Sequence, residues 1–195
     1  MSKLFVDEIV HQSSQGSGTI TLGASGETIN IPAGSTINLS NSTVTLNSNM
    51  KNTPAFMAYR SSSNQSISAS TDTLVLFNST SYNIDSAYDT STGFFTVPSG
   101  GAGRYLFTTG LQTASITSSS HIAFEIDDGS SAVTTGFTKP DKWIDARSTD
   151  DSRITKSIIV NMNDGYRCSV KIYFTSSGEQ ITTNRSFFCG VKLIG

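Results

Sequence analysis

The sequence predicts an all-β protein: a sandwich or jelly-roll head carried behind an N-terminal β-repeat shaft. Three observations lead there. A Thr-Ile-x-Leu pattern recurs four times ahead of residue 52, as Thr19-Ile20-Thr21-Leu22, Thr28-Ile29-Asn30-Ile31, Thr36-Ile37-Asn38-Leu39 and Thr43-Val44-Thr45-Leu46, and then stops. Beyond residue 52, short apolar runs alternate with polar turn residues. No sustained 3.6-residue period appears, so helices are not expected.

Composition limits the function classes. The chain has 195 residues, enough for one domain and an appendage. Charged residues make up only 14%, whereas 11 Phe, 6 Tyr and 1 Trp fall almost entirely after residue 52, where they can build a core. Net charge is -2 without a basic run, so no nucleic-acid partner is expected. No stretch reaches the length of a membrane span, and no membrane insertion is expected. The opening Met1-Ser2-Lys3-Leu4-Phe5-Val6-Asp7-Glu8 meets acid where a secretory leader needs an apolar run. Two cysteines, Cys168 and Cys189, do not make a disulfide framework.

Residues 1–17 read as an arm and a joint. Leu4, Phe5, Val6, Ile9 and Val10 form an apolar patch that reads equally as a plug into a larger assembly or as the first strand of the shaft, and Gly- and Ser-containing residues follow. Residues 18–52 read as the shaft. Within each repeat two apolar side chains share a face: Ile20 with Leu22, Ile29 with Ile31, Ile37 with Leu39, Val44 with Leu46. Gly, Pro, Ser and Asn in the links suit turns. Burial of these eight side chains within one chain falls far short of the entropy of ordering the segment. Order therefore needs other chains, and three copies around an axis would bury the Ile/Leu rows. A β-prone linker lying on the head is the alternative.

Residues 53–195 form the head. Strands are expected over Ala55–Tyr59, Thr73–Phe77, Gly93–Val97, Tyr105–Thr108, Ile122–Ile126, Ile154–Met162, Tyr166–Phe174 and Phe187–Ile194. From Tyr166 the alternation puts Cys168, Val170, Ile172 and Phe174 on one face. In the last strand Phe187, Cys189, Val191 and Leu193 share a face. Both cysteines are expected as buried thiols acting as small hydrophobes.

Further motifs stand in a fixed order. Pro54-Ala55-Phe56 opens the head, and Phe77, Asn83 and Tyr88-Asp89 follow. Next come Gly93-Phe94-Phe95-Thr96-Val97-Pro98 and Gly103-Arg104-Tyr105-Leu106-Phe107. Asn163-Asp164-Gly165 stands late, and Phe187-Phe188-Cys189-Gly190-Val191-Lys192-Leu193-Ile194 closes the chain. This order resembles the globular head of the complement C1q/TNF-like superfamily. The resemblance implies a ten-stranded jelly roll assembled as a tight homotrimer, the number of chains the shaft argument also favours. Two departures stand out. The late turn reads Asp164-Gly165 where the family reads Gly-Asp, and no collagen repeat precedes the head. The segment Lys3-Leu4-Phe5-Val6-Asp7-Glu8-Ile9, with the Thr-Ile-Thr-Leu repeats and Pro-Ala-Gly-Ser, is similar to openings of virion structural proteins of marine tailed bacteriophages.

Catalytic chemistry is not expected. Of the two histidines, His11 lies in the joint, and His121 opens a strand with no activated nucleophile flanking it. No cofactor is expected. Asp127-Asp128 and Asp150-Asp151 lack the spaced ligand pattern of a calcium loop and are expected as solvated loop charges. Lys142, Trp143 and Arg147 combine the single Trp with two cations and are candidates for surface recognition, the alternative being a Trp143 buried under a loop or between subunits. The expected function is a non-enzymatic virion protein, a homotrimeric appendage or fibre with a C1q-like knob. Its expected partners are itself, other virion proteins through the arm, and a host-surface glycan or protein. A capsid decoration (cement) trimer is the alternative, because four repeats make a short stalk.

Overall fold

The computed structural model describes residues 33–36, 40, 51–114, 120–130, 143–144 and 152–194. The chain divides into two units, Met1–Val44 and Thr45–Gly195. In the first, a turn falls at Ala33 and Gly34, inside the link expected between the second and third repeats. The arm and the eight expected axis residues (Ile20, Leu22, Ile29, Ile31, Ile37, Leu39, Val44 and Leu46) lie outside the described residues.

Among the described residues the second unit carries thirteen strands and no helix. They are β1 (Ala55–Tyr59), β2 (Gln65–Ser66), β3 (Thr73–Leu74), β4 (Ser79–Ile84), β5 (Tyr88–Asp89), β6 (Phe94–Thr96) and β7 (Gly103–Ala114). After them come β8 (Ser120–Asp127), β9 (Trp143–Ile144), β10 (Ser152–Met162), β11 (Arg167–Phe174), β12 (Gln180–Ile181) and β13 (Phe187–Lys192).

Two antiparallel sheets form a sandwich. In the seven-stranded sheet, β10 pairs with β7 along its whole length, from Ser152 opposite Thr113 to Met162 opposite Gly103. The other side of β7 is shared end to end by β12 and β13. β13 continues to β1 and then β4, while β12 continues to β2. The six-stranded sheet runs β5-β6-β11-β8-β9, with β3 also on β11.

Aromatic rings join the two sheets. Phe56 of the first sheet stacks on Tyr88 and Phe95 of the second, at 4.9 and 5.3 Å between centroids. The Phe188 ring meets Phe56 edge-on at 4.9 Å. Phe107 adds an edge contact to Phe95 at 5.2 Å. Such offset and T-shaped pairs contribute about 0.5–1.5 kcal/mol each beyond their burial. Gly190 makes this packing possible, because a Cβ there would lie 2.5 Å from Phe107 Cδ1 and 2.7 Å from Phe56 Cε1.

The alternation expected in β11 is present: Cys168, Val170, Ile172 and Phe174 are all fully buried. In β13 the expected face is shared, but it points outward. The core face of β13 consists of Phe188, Gly190 and Lys192, while Phe187, Cys189 and Val191 are half-buried on the outer surface. Cys189 is therefore not a core thiol, and both cysteines are free. Expected boundaries shift as well. β7 is three times as long as the run Tyr105–Thr108, β3 is cut to two residues, and β13 ends at Lys192.

The departure at Asp164-Gly165 has a structural reason. Asp164 accepts hydrogen bonds from the amides of Gly100 and Ala102, both at 2.7 Å. Gly165 takes φ +79° and donates to the Val97 carbonyl at 2.9 Å. One carboxylate thus ties the β10–β11 turn to the β6–β7 connection, and both of these links pass from sheet to sheet. Tyr105 closes the same corner by donating to the Gly101 carbonyl at 2.6 Å. Burial pushes its phenol up to about 12, with the charges of Asp164 and Asp85 adding to the effect.

Candidate functional site: the outer face of the seven-stranded sheet

Strand register aligns distant residues into rows on the outer face of the seven-stranded sheet. Ile84 stands opposite Ala55, Ala55 opposite Val191, Val191 opposite Leu106, and Leu106 opposite Ile159. The result is an unbroken apolar row across five strands. The next row reads Tyr82, Met57, Cys189, Thr108 and Ser157. Four large hydrophobic side chains are exposed among the described residues, and three of them, Tyr82 (48%), Ile84 (46%) and Ile159 (56%), lie in these two rows. Single exposed hydrophobics are ordinary on protein surfaces, and their alignment in two rows makes this face the candidate contact surface. The Cys189 thiol in the second row is raised by burial.

Polarity rises toward the other end of the face. A third row holds Tyr59, Phe187, Gly110 and Thr155, and Arg153 stands opposite Gln112 beyond it. Gly110, Leu111, Arg153, Thr155, Asn184, Arg185 and Phe187 line an open cleft of about 390 Å³ there.

The outer face of the six-stranded sheet is built differently. Arg167 Nε binds Asp127 Oδ1 at 2.6 Å while its guanidinium lies 4.5 Å above the Phe94 ring. Lys171 binds Glu125 at 2.6 Å. His121 Nε2 meets Asp72 at 2.9 Å, and its ring stacks on Tyr173 at 4.8 Å. Charge pairs cross this surface within the chain, whereas the described residues of the apolar rows hold none.

Comparison with known proteins agrees with this two-sheet architecture. The family model of the C1q domain matches residues 55–191. The chain belongs to the C1q-domain family. Among solved structures, the C1q head is similar to Eiger TNF from S. frugiperda, at 15% identity and TM-score 0.52, covering 73% of this chain and 94% of that one. Murine APRIL is similar at 13% identity and TM-score 0.51, covering 71% of this chain and 98% of that one. The globular domain of zebrafish complement 1qA shares 15% identity at TM-score 0.49, covering 70% of this chain and 94% of that one. No curated protein matches the chain. At these identities the structural likeness shows the fold alone.

Of the recognition candidates in the C1q head, Trp143 alone lies within the described residues. Trp143 lies in β9 with its backbone opposite His121, at the edge of the six-stranded sheet and away from the apolar rows. Lys142 and Arg147 lie outside the described residues, as does the pair Asp150-Asp151. The expectation that Asp127 is a solvated loop charge fails. Asp127 ends β8, is buried, and accepts from both Arg167 and the Gly129 amide at 2.8 Å. A calcium ion there would meet a guanidinium already bound to the carboxylate, so the Asp127-Asp128 pair does not fit the metal. Among the described residues, no three His, Cys, Asp or Glu side chains converge as a metal site.

The apolar row itself escaped sequence reasoning. Its signal lay in consecutive apolar residues, Tyr105-Leu106-Phe107 and Ile158-Ile159-Val160. Such runs mark strands apolar on both faces. The contribution of β4 carried no signal, because Ser79-Thr80-Ser81-Tyr82-Asn83-Ile84 reads as a polar loop.

Proposed function

We propose that the chain is a non-enzymatic structural protein of a bacteriophage virion, a homotrimeric surface appendage whose C1q head contacts the host surface. The observation that carries self-association is the apolar row Ile84-Ala55-Val191-Leu106-Ile159. A monomer would leave Ile84 and Ile159 of this row exposed and Val191 and Leu106 half-exposed, and packing against further copies of the chain covers them. Domains of the C1q/TNF type commonly form homotrimers, which sets the copy number of the proposal. The virion role draws on the opening Lys3-Leu4-Phe5-Val6-Asp7-Glu8-Ile9 and the Thr-Ile-x-Leu repeats. A capsid decoration trimer is the second reading, favoured by the small number of repeats.

Mass measurement in solution tests the assembly. The wild-type chain is expected at three times its monomer mass, and Ile159→Asp at the mass of one chain, because the new carboxylate would be buried without a partner. A wild-type monomer, or an Ile159→Asp trimer as stable as wild type, refutes the assignment of the face. Labelled protein imaged on particles tests the role: label on tail or neck supports the appendage, label across the capsid lattice supports decoration, and no label on any particle removes both.

A further inference from the structure

The sequence contains two Asp-Gly steps, Asp128-Gly129 and Asp164-Gly165, and both lie exposed between strands. An aspartate followed by glycine can close on itself. The next amide nitrogen reaches the side-chain carboxyl carbon, and glycine has no Cβ to shield that nitrogen. The product is a five-membered succinimide ring. Both steps are open to water, so which one reacts depends on how each carboxyl and each following amide is held.

At Asp128 the parts of the reaction stand together. Its Oδ1 accepts from the Ser130 amide at 2.9 Å and from the Ser130 hydroxyl at 2.7 Å. This turn folds the carboxyl back over Gly129. Two donors on one oxygen stand where negative charge develops as the carboxyl carbon becomes tetrahedral. The Gly129 amide donates to Asp127 Oδ1 at 2.8 Å, so a buried carboxylate already holds the proton that the nitrogen must lose. Arg167 fixes that carboxylate at 2.6 Å. A Cβ built at Gly129 would meet nothing within 4 Å, which leaves the ring room to form.

Two other aspartates make internal controls. The oxygens of Asp164 are held by the amides of Gly100 and Ala102 in a different connection, which draws the carboxyl away from Gly165. The Gly165 amide donates to the Val97 carbonyl, a group that takes no proton. Asp89 makes the same turn as Asp128, accepting from the Ser91 amide at 2.8 Å and its hydroxyl at 2.6 Å. Thr90 follows it, and a branched side chain crowds the nitrogen.

We propose that Asp128-Gly129 is a site of spontaneous backbone modification, converting to isoaspartate in the folded protein while Asp164-Gly165 is protected. The Gly129 nitrogen bonds to Asp128 Cγ and passes its proton to Asp127. The Asp128 carboxyl enters protonated and loses its hydroxyl, which leaves as water with the proton that Asp127 held. Water then opens the ring. Attack at the main-chain carbonyl breaks its bond to nitrogen, so the chain now runs through the former side chain. The product carries one extra methylene in the main chain and a new α-carboxylate at position 128. Attack at Cγ restores aspartate. Water is the only co-reactant, and no electrons are transferred.

The test is storage of the full-length protein in heavy-oxygen water at mildly acidic pH, followed by peptide mapping with mass spectrometry. Each ring opening leaves one heavy oxygen at the residue. Label and isoaspartate are expected to accumulate at Asp128 at least about tenfold faster than at Asp164, with Asp89 unlabelled. In the urea-unfolded chain the two Asp-Gly steps are expected to react at similar rates. Ser130→Ala removes the hydroxyl donor from an exposed position. It is expected to slow the reaction at Asp128 at least about threefold and to leave Asp164 unchanged. A melting curve matching wild type confirms that this variant folds. The inference is overturned by equal rates at Asp128 and Asp164 in the folded protein, or by the same difference between them in the unfolded chain. Labelling of Asp89 as fast as Asp128, or an unchanged Asp128 rate in folded Ser130→Ala, overturns it as well.

Discussion

Replacing Gly190 with alanine should lower the melting temperature of the C1q head by several degrees, whereas the same change at Gly110 should scarcely move it. A Cβ at position 190 would lie 2.5 and 2.6 Å from Phe107 Cδ1 and Cε1 and 2.7 Å from Phe56 Cε1, where ordinary contact begins at 3.4 Å. Both rings must retreat by most of an ångström, and neither has room. Phe107 is fully buried against Phe95, Tyr105 and Phe188. Phe56 is fully buried between Tyr88, Phe95 and Phe188. Overpacking of this kind costs about 1–3 kcal/mol, and two locked rings place Gly190→Ala near the upper end. The reduced unfolded-state entropy of alanine offsets only about 0.4–1 kcal/mol. For a domain of this size the remainder corresponds to roughly 4–10 °C. At Gly110 the nearest contact is closer still, 2.4 Å to Phe187 Cε1, but Phe187 is half-buried on the outer face and its ring can turn toward solvent. The cost there should stay below about 1 kcal/mol. Thermal and urea denaturation followed by circular dichroism measures both. A Gly190→Ala protein melting with wild type, or equal losses at the two positions, would refute the view that mobility of the neighbouring ring decides the outcome.

Acid should act through Asp164. Hydrogen bonds from the amides of Gly100 and Ala102 hold its carboxyl below the usual carboxylate range. The folded value is below the unfolded one, so the stabilisation is complete above the ordinary value and is lost as pH falls through the folded one. Asp164→Asn is expected to lower the melting temperature at neutral pH and to flatten its fall below about pH 5. An acid limb identical to wild type would show that the clasp contributes nothing. The two thiols should also differ. Burial raises both, Cys168 most strongly because it is fully enclosed, with the Asp127 charge adding to the effect. A disulfide reagent under native conditions is expected to modify Cys189 before Cys168, and to reach Cys168 only on unfolding. Modification of Cys168 first would overturn the burial assigned to β11.

Period-two alternation was legible wherever one face of a strand is apolar and the other polar. In β11 it identified Cys168, Val170, Ile172 and Phe174 as one face, and all four are fully buried. In β13 the same alternation grouped Phe187, Cys189 and Val191 correctly but could not say which face points inward. Gly190 and Lys192 look like poor core residues, yet they occupy the inner face. Gly190 is there because two aromatic rings need the space its missing side chain leaves. Asp164 looked like a departure from the family turn and proved to be the clasp between two inter-sheet links.

The sequence by itself determined the all-β class, most core strands and the order of motifs that places residues 55–191 in the C1q-domain family. These follow from local period and from residue order, both of which are written along the chain. Only the tertiary structure decided that Ile84, Ala55, Val191, Leu106 and Ile159 form one row and that Arg153 and Arg185 face the same cleft. Those groupings depend on pairing between segments separated by tens of residues. Strand register, set by the packing of the whole sandwich, is a non-local quantity that no window of sequence contains.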